Sequence, residues 1–355
     1  MKLIIEPDDG VSPLLSAIKG AKESIDLAIF RFDQPDLDKA LRAAVARGVK
    51  VTALVASVNH GGEKSLRKLE MRFLDAGITV ARSASELNRY HDKVIIVDRR
   101  TLYVLSFNFT HLDIERSRGF GIVTHNSKWV AEAVKLLDAD SKRAPYCCGL
   151  DTFVVSPANA RKVLRNFLKR AHKQLLIYDP KVSDKEMIRI LEDRAKAGVQ
   201  IRVIGQTKAH LKVKKLSRLR LHTRTIIRDG RQAFIGSQSL RATELDLRRE
   251  VGLIVRDARI VSKLMEKFES DWDSGGKEES APDIAKEETP KRDADKVVQI
   301  LVEELHPIAA TVKKAVRKAV AKAGDEVLED GSVQETVKGV VKKAVRQAVR
   351  EAAKG

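Results

Sequence analysis

The chain carries one five-residue pattern twice, and this repetition restricts its possible folds more than any other feature. The first copy is His91, Lys93, Asp98, Ser106 and Asn108; the second is His222, Arg224, Asp229, Ser237 and Ser239. In both copies the aspartate follows the histidine by seven residues and the first serine follows it by fifteen. Side chains alternate along a strand, so His91 and Lys93 are expected on one face, as are His222 and Arg224. Asp98 and Asp229 fall where each strand should turn, and Asp229-Gly230 is a strong hairpin signal. Returning strands over 101–106 and 231–237 then bring Ser106, Asn108, Ser237 and Ser239 back beside the histidines.

The surrounding sequence repeats the same grammar. Residues 24–30 have a strand's composition, and Leu37, Leu41 and Ala44 follow at helical spacing up to Gly48. Residues 49–55 then alternate as a strand. In the second half a strand at 174–178 precedes a helix, opened by a Ser183-x-x-Glu186 capping box and ended at Gly198, and a further strand over 199–204. Strand–helix–strand units with short crossovers predict an α/β fold with a parallel sheet in each half. The expected organisation is one lobe over 1–145, a second over 150–273, a polar linker over 274–296 and an amphipathic helical hairpin over 297–355. In that tail Val312, Val316 and Val320 form one stripe with lysines opposite, which suits self-association or contact with an anionic surface.

Composition narrows the function classes. No apolar run approaches the ~20 residues of a spanning helix, so no transmembrane segment is expected. The only cysteines, Cys147 and Cys148, are adjacent and provide no disulfide framework, which makes a reducing cytoplasm the default location. Of the formal net charge of +18, the tail carries almost none. Residues 1–273 hold 51 Lys and Arg against 34 Asp and Glu, and 199–256 alone hold 14 against 4. A basic cluster this dense attracts polyanions, whether nucleic acid or anionic headgroups at a membrane surface.

The repeated residues suit a phosphodiester. One imidazole can attack phosphorus while the other protonates the leaving oxygen, a step that needs neither metal nor cofactor. Lys93 and Arg224 would hold non-bridging oxygens, and Asn108 with the serines would donate to the charge that grows in the transition state. The other histidines, His60, His111, His125, His172, His210 and His306, lack ligand-like spacing and read as ordinary surface or core residues.

His91, Lys93, Asp98, Ser106 and Asn108 resemble the HKD motif of the phospholipase D superfamily, and the second set resembles its partner copy. The resemblance covers about 1–273. It implies two α/β sandwich lobes related by a pseudo-twofold axis, with both histidines in one cleft. It also implies a metal-independent phosphohistidine intermediate, with His91 as nucleophile, His222 as general acid, and water or an alcohol as acceptor. The superfamily spans phospholipases, cardiolipin-synthase-like transferases and nucleases, so it fixes the bond type and leaves the substrate open between phospholipid and nucleic acid.

Both copies depart from that motif. Arg224 replaces lysine, Ser239 replaces asparagine, and Leu105 replaces the glycine before Ser106. The motif also carries a glutamate 28 residues after the histidine, which orients the imidazole. The second half has it, as Glu250, whereas the first half has Gly119. The expectation is therefore that His91 lacks a carboxylate partner unless Glu115 substitutes. Against active chemistry stands a second reading, a catalytically weakened module that binds a nucleic-acid backbone; a third makes the lobes a scaffold assembled through the tail. Segment 56–90, longer than its counterpart, is expected to flank the cleft or add packing.

Overall fold

A computed structural model describes residues 1–56 and 63–276. The helical hairpin expected over 297–355, most of the linker, His60 and His306 lie outside the described residues. Met1–Ala281 forms one compact unit.

Within it stand two sheets built on one plan. In the first, the strands run in the order Lys2–Glu6, Ser117–Thr124, Thr101–Leu105, Val94–Val97, Ser24–Ile29, Lys50–Val55 and Thr79–Arg82. In the second the order is Lys212–Lys214, Gln200–Thr207, Gln174–Val182, Arg224–Arg228, Gln232–Gly236 and Arg248–Val255, with Phe153–Ser156 beside the last. Each sheet contains the expected parallel pair, Ser24–Ile29 with Lys50–Val55 and Gln174–Val182 with Gln200–Thr207. Helices Pro35–Ala46 and Lys185–Lys196 supply the crossovers, and each chain leaves its helix through a glycine in the left-handed region, Gly48 and Gly198, both with φ +88°. One local detail differs from expectation. The cap of helix Lys185–Lys196 is Asp184, whose carboxylate accepts from the Glu186 and Met187 amides, so Ser183 is not the first member of a capping box.

The two motif aspartates do the same structural work in both halves. Asp98 and Asp229 adopt φ of +51° and +54°, followed by Arg99 at +48° and Gly230 at +64°, which closes tight hairpins of the primed type. Each carboxylate then gathers three successive amides at the start of the neighbouring strand. Asp98 accepts from Lys22, Glu23 and Ser24, and Asp229 from His172, Lys173 and Gln174, at 2.7–3.1 Å. These hydrogen bonds hold both carboxyls below the usual range against a desolvation cost.

The halves share a core. One buried apolar cluster combines Val94, Ile96, Phe120 and Ile122 of the first sheet with Leu176, Tyr178, Ile227 and Val251 of the second, together with helices Ser127–Ser141 and Ala258–Asp273. Two buried, bidentate ion pairs cross it. Arg118 holds Asp271 at 2.7 and 3.0 Å, and Arg249 holds Asp140 at 2.9 Å through both nitrogens. Arginine and aspartate come from opposite halves in each case. Tyr178 also donates to Asp271, at 2.8 Å. The long segment of the first half supplies helix Glu63–Asp75 and edge strand Thr79–Arg82; Leu66, Leu69 and Phe73 enter the first lobe's own core, so its described part adds packing.

Removing one partner of such a pair strands a buried charge, so Asp271→Ala is expected to cost about 3–5 kcal/mol in urea unfolding. The double variant Asp271→Leu/Arg118→Met, which removes both charges, should recover most of that loss. Equal losses in the single and double variants would show that the pair does not carry the effect.

Candidate active site

The strand expected to carry His91 and Lys93 on one face is interrupted. Arg89–Tyr90 pairs with the second half, Arg89 against Arg248 and Tyr90 against Arg249, whereas Val94–Val97 belongs to the first sheet. Residues 91–93 are the crossing between them, and the His91 amide donates to the Arg249 carbonyl at 2.8 Å. The second half mirrors this. Arg220–Leu221 pairs with Ser117 and Arg118 of the first half, and the His222 amide donates to the Arg118 carbonyl at 3.2 Å. Each histidine is therefore delivered by its own lobe and anchored on the other.

That exchange corrects the expectation about the carboxylates. Glu250 does not serve the histidine of its own half: its Oε2 lies 2.8 Å from His91 Nδ1, leaving His91 Nε2 unengaged among the described residues. His91 is the partnered imidazole, and the one lacking this carboxylate is His222, whose Nδ1 is buried without a hydrogen bond. Gly119 would have to supply the missing group, but a side chain there would run into Phe107, whose ring atom lies 2.8 Å from the position of a Cβ. Glu115 does not substitute; it pairs with His111 at the surface. The register partner of Gly119 is Glu6, a buried carboxyl pushed up to about 8 by burial, with no hydrogen bond to His222. The carboxylate that does reach His222 is Asp113, with Oδ2 3.4 Å from Nε2. Asp113 is also the acceptor for the Asn108 amide at 2.8 Å and the Asn108 side chain at 2.6 Å, and it pairs with Arg220.

The remaining motif residues occupy matching places. Lys93 Nζ donates to the His91 carbonyl at 2.5 Å and Arg224 to the His222 carbonyl at 2.6 Å, so the arginine reproduces the lysine's position. Arg224 also approaches the Ser239 hydroxyl at 3.3 Å, and the Ser239 amide donates to Glu244 as that of Asn108 does to Asp113. Ser106 and Ser237 turn toward the sheet: their hydroxyls accept from the Phe120 and Val251 amides at 2.9 and 3.2 Å. Sequence reasoning missed Asp113 and Glu244. Their signal was available, since both stand 22 residues after their histidines.

The site is enclosed and electropositive. His91 keeps 6% of its surface exposed, His222 7% and Lys93 1%. Burial, with Lys93 and Arg224 adding, holds His91 well below the usual imidazole value; burial, Arg224 and Lys93 do the same to His222. His91 itself contributes to the shift at His222, so the two rings share one field. Lys93 is pushed down to about 7, chiefly by burial, with Glu250 opposing and Arg224 assisting. Among the described residues no cluster of three His, Cys, Asp or Glu side chains could hold a metal ion, and no helix is long and apolar enough to cross a membrane.

If the Glu250–His91 contact fixes the ring, Glu250→Gln should lower kcat/KM on a phosphodiester by about 10–100-fold. Glu115→Gln, at the surface, should leave it unchanged. Equal effects of the two would contradict the crossed pairing.

Residues 14–141 and 205–272, more than half of the chain, match the family described as cardiolipin synthase, PLD-like domain. Over 127 residues the chain is 32% identical to mitochondrial cardiolipin hydrolase of Homo sapiens and 30% identical to that of Mus musculus. Those alignments cover 35% of this chain and 47% and 54% of the relatives, so it spans about half the length of the curated relatives it matches. Among solved structures, polyphosphate kinase from Porphyromonas gingivalis superposes with a TM-score of 0.65 at 19% identity, over 85% of this chain and 53% of that one. Phosphatidylserine synthase of Haemophilus influenzae Rd KW20 gives 0.63 at 11%, over 85% and 94%. These two likenesses concern the fold, and it is the two-lobed α/β architecture that they share. With the family match and the duplicated motif together, the chain belongs to the PLD-like domain family of cardiolipin synthase type, within the phospholipase D superfamily.

Proposed function

We propose that this protein is a phosphodiesterase that works through a phosphohistidine on His91. The observation that carries this reading is the 2.8 Å contact between Glu250 and His91 Nδ1. A carboxylate accepting from Nδ1–H fixes the tautomer with its lone pair on Nε2, the form a nucleophile needs. Burial among cations keeps the ring unprotonated at neutral pH.

The roles follow from the asymmetry between the halves. His91 Nε2 attacks phosphorus, the bond to the leaving oxygen breaks, and His222 gives that oxygen a proton. Water or an alcohol, deprotonated by His222, then attacks phosphorus and frees His91. Asp113 lies 3.4 Å from His222 Nε2 and is the carboxylate that pairs with that ring while it carries the proton. Lys93 and Arg224 neutralise the non-bridging oxygens, and an anion arriving beside Lys93 restores the charge that burial weakens. Asn108 and Ser239 stand at matching places on either side and donate to the same oxygens. Ser106 and Ser237 position the turns that carry them, as Asp98 and Asp229 position the hairpins.

The substrate class is an anionic diester, from phospholipid or nucleic acid. Relatives named as cardiolipin hydrolases favour a glycerophosphodiester, and the basic surface of 199–256 suits either polyanion.

Purified protein should hydrolyse bis(p-nitrophenyl) phosphate in excess EDTA, and His91→Ala and His222→Ala should each reduce the rate on the order of 10³-fold or more. Denaturing quench at alkaline pH, where phosphohistidine is stable, should trap a p-nitrophenyl phosphoryl group on His91 of the His222→Ala variant, with one p-nitrophenolate released. Salt-sensitive binding without turnover would replace this reading with that of a nucleic-acid-binding protein. The pH profile has a fixed sign. His222 must hold a proton and His91 must not, and both are shifted downward from 6.5. The optimum of kcat/KM should therefore lie on the acid side of 6.5, with activity falling as rising pH deprotonates His222. An optimum above pH 7.5 would contradict the assignment.

A further inference from the structure

Beside His91 stand two arginines that the two-histidine chemistry does not use. Phe30 follows strand Ser24–Ile29, and its ring meets the His91 ring edge-on, with centroids 4.5 Å apart. Two guanidiniums stack on the same ring. Arg89 lies 5.2 Å and Arg31 5.6 Å from its centroid, and Lys93 lies 5.5 Å away. One aromatic side chain thus ties both arginines to the proposed nucleophile.

Among the described residues Arg31 and Arg89 form no ion pair; Phe30 is the partner the structure gives them. Arg89 is half-buried, and its proton affinity is lowered by burial first and then by the nearby Arg248, with Glu250 opposing, Arg31 adding to the repulsion and Glu244 opposing it. Crowding cations in a partly desolvated place is unfavourable unless an anion relieves it.

The duplicated fold supplies an internal control. Arg89 stands two residues before His91, and its counterpart two residues before His222 is Arg220. Arg220 is fully used: it pairs with Asp113 and donates to the Ser117 hydroxyl at 3.1 Å. The same position is thus ion-paired on the His222 side and, among the described residues, without an ion pair on the His91 side.

Resting on the reading of the cleft as a phosphodiesterase site, we propose that Arg31 and Arg89 form a subsite for a second phosphate. The preferred substrate is then a diester with another phosphate one linker away from the scissile one, on the His91 side. Such a group would bridge the two guanidiniums through charge-assisted hydrogen bonds. A glycerol-bridged bisphosphate lipid and an oligonucleotide both present this chemistry.

The test compares substrate pairs that differ by one phosphate, using the full chain. One pair is thymidylyl-thymidine with and without a terminal 5′-phosphate; the other is cardiolipin and phosphatidylglycerol in mixed detergent micelles. The wild type should favour the two-phosphate member of at least one pair by about tenfold or more in kcat/KM, and the responding pair identifies the source. Arg89→Ala should lower kcat/KM for that substrate about tenfold more than for bis(p-nitrophenyl) phosphate. Arg31→Ala, at an exposed position, should do the same and carries the test if Arg89→Ala fails to fold. No preference in either pair, or equal losses on one-phosphate and two-phosphate substrates, overturns the subsite. If the protein proves to lack turnover, calorimetric titration with the same dinucleotides separates the two questions. A Kd advantage of the phosphorylated form that disappears in Arg89→Ala supports the subsite without catalysis, and no such advantage refutes it.

Discussion

The candidate site depends on an exchange of short strands between the two halves. Arg89–Tyr90 leaves the first lobe to pair with the second, and Arg220–Leu221 makes the reciprocal move. These are only two residues each, yet they place each histidine on a backbone that belongs to the opposite lobe. Buried ion pairs between Arg118 and Asp271, and between Arg249 and Asp140, fasten the same exchange from the other face. Arg118 and Arg249 contribute both the side chain of one ion pair and the carbonyl that receives a histidine amide. Assembly of the shared core and assembly of the cleft are therefore one event, and the halves are lobes of a single unit.

The two halves carry the same motif at the same spacing, yet the residues around the two histidines differ. Glu250 has lost its counterpart at Gly119, where Phe107 fills the space. Asp113 and Glu244 match in position but differ in company. Asp113 touches His222 and Arg220, whereas Glu244 is shared among Arg241, Arg248 and Arg224. Arg220 is paired with Asp113, whereas Arg89 forms no ion pair among the described residues. The sum is a division of labour. One imidazole is held firmly by a carboxylate on Nδ1 beside surplus cations, and the other has its carboxylate near Nε2. The proposed assignment of nucleophile and acid, and the proposed second-phosphate subsite, rest on that asymmetry.

Much of this was legible in the sequence because the relevant chemistry is local. Period-two alternation, Gly48 and Gly198 after their helices, and Asp-Gly at 229–230 specified the elements and the duplicated α/β plan. Equal spacing from His91 to Ser106 and from His222 to Ser237 identified the two motifs, since a strand, a three-residue loop and a returning strand have fixed lengths. The capping residue was misplaced by one position, at Ser183 instead of Asp184, because neighbouring Ser and Asp offer the same acceptor chemistry.

What the sequence could not decide is which half serves which histidine. Spacing along the chain measures distance within a lobe, so it assigned Glu250 to His222 and left His91 bare. Pairing of Arg248 and Arg249 with Arg89 and Tyr90, residues far apart in the chain, reverses that assignment. The two-residue strands that bring it about are too short to carry a periodic signal. Their partners are chosen by the packing of one lobe on the other. Residue types and their repetition thus determined the fold and the superfamily, and the crossed hydrogen bonds of the assembled core determined which imidazole is held and which carboxylate holds it.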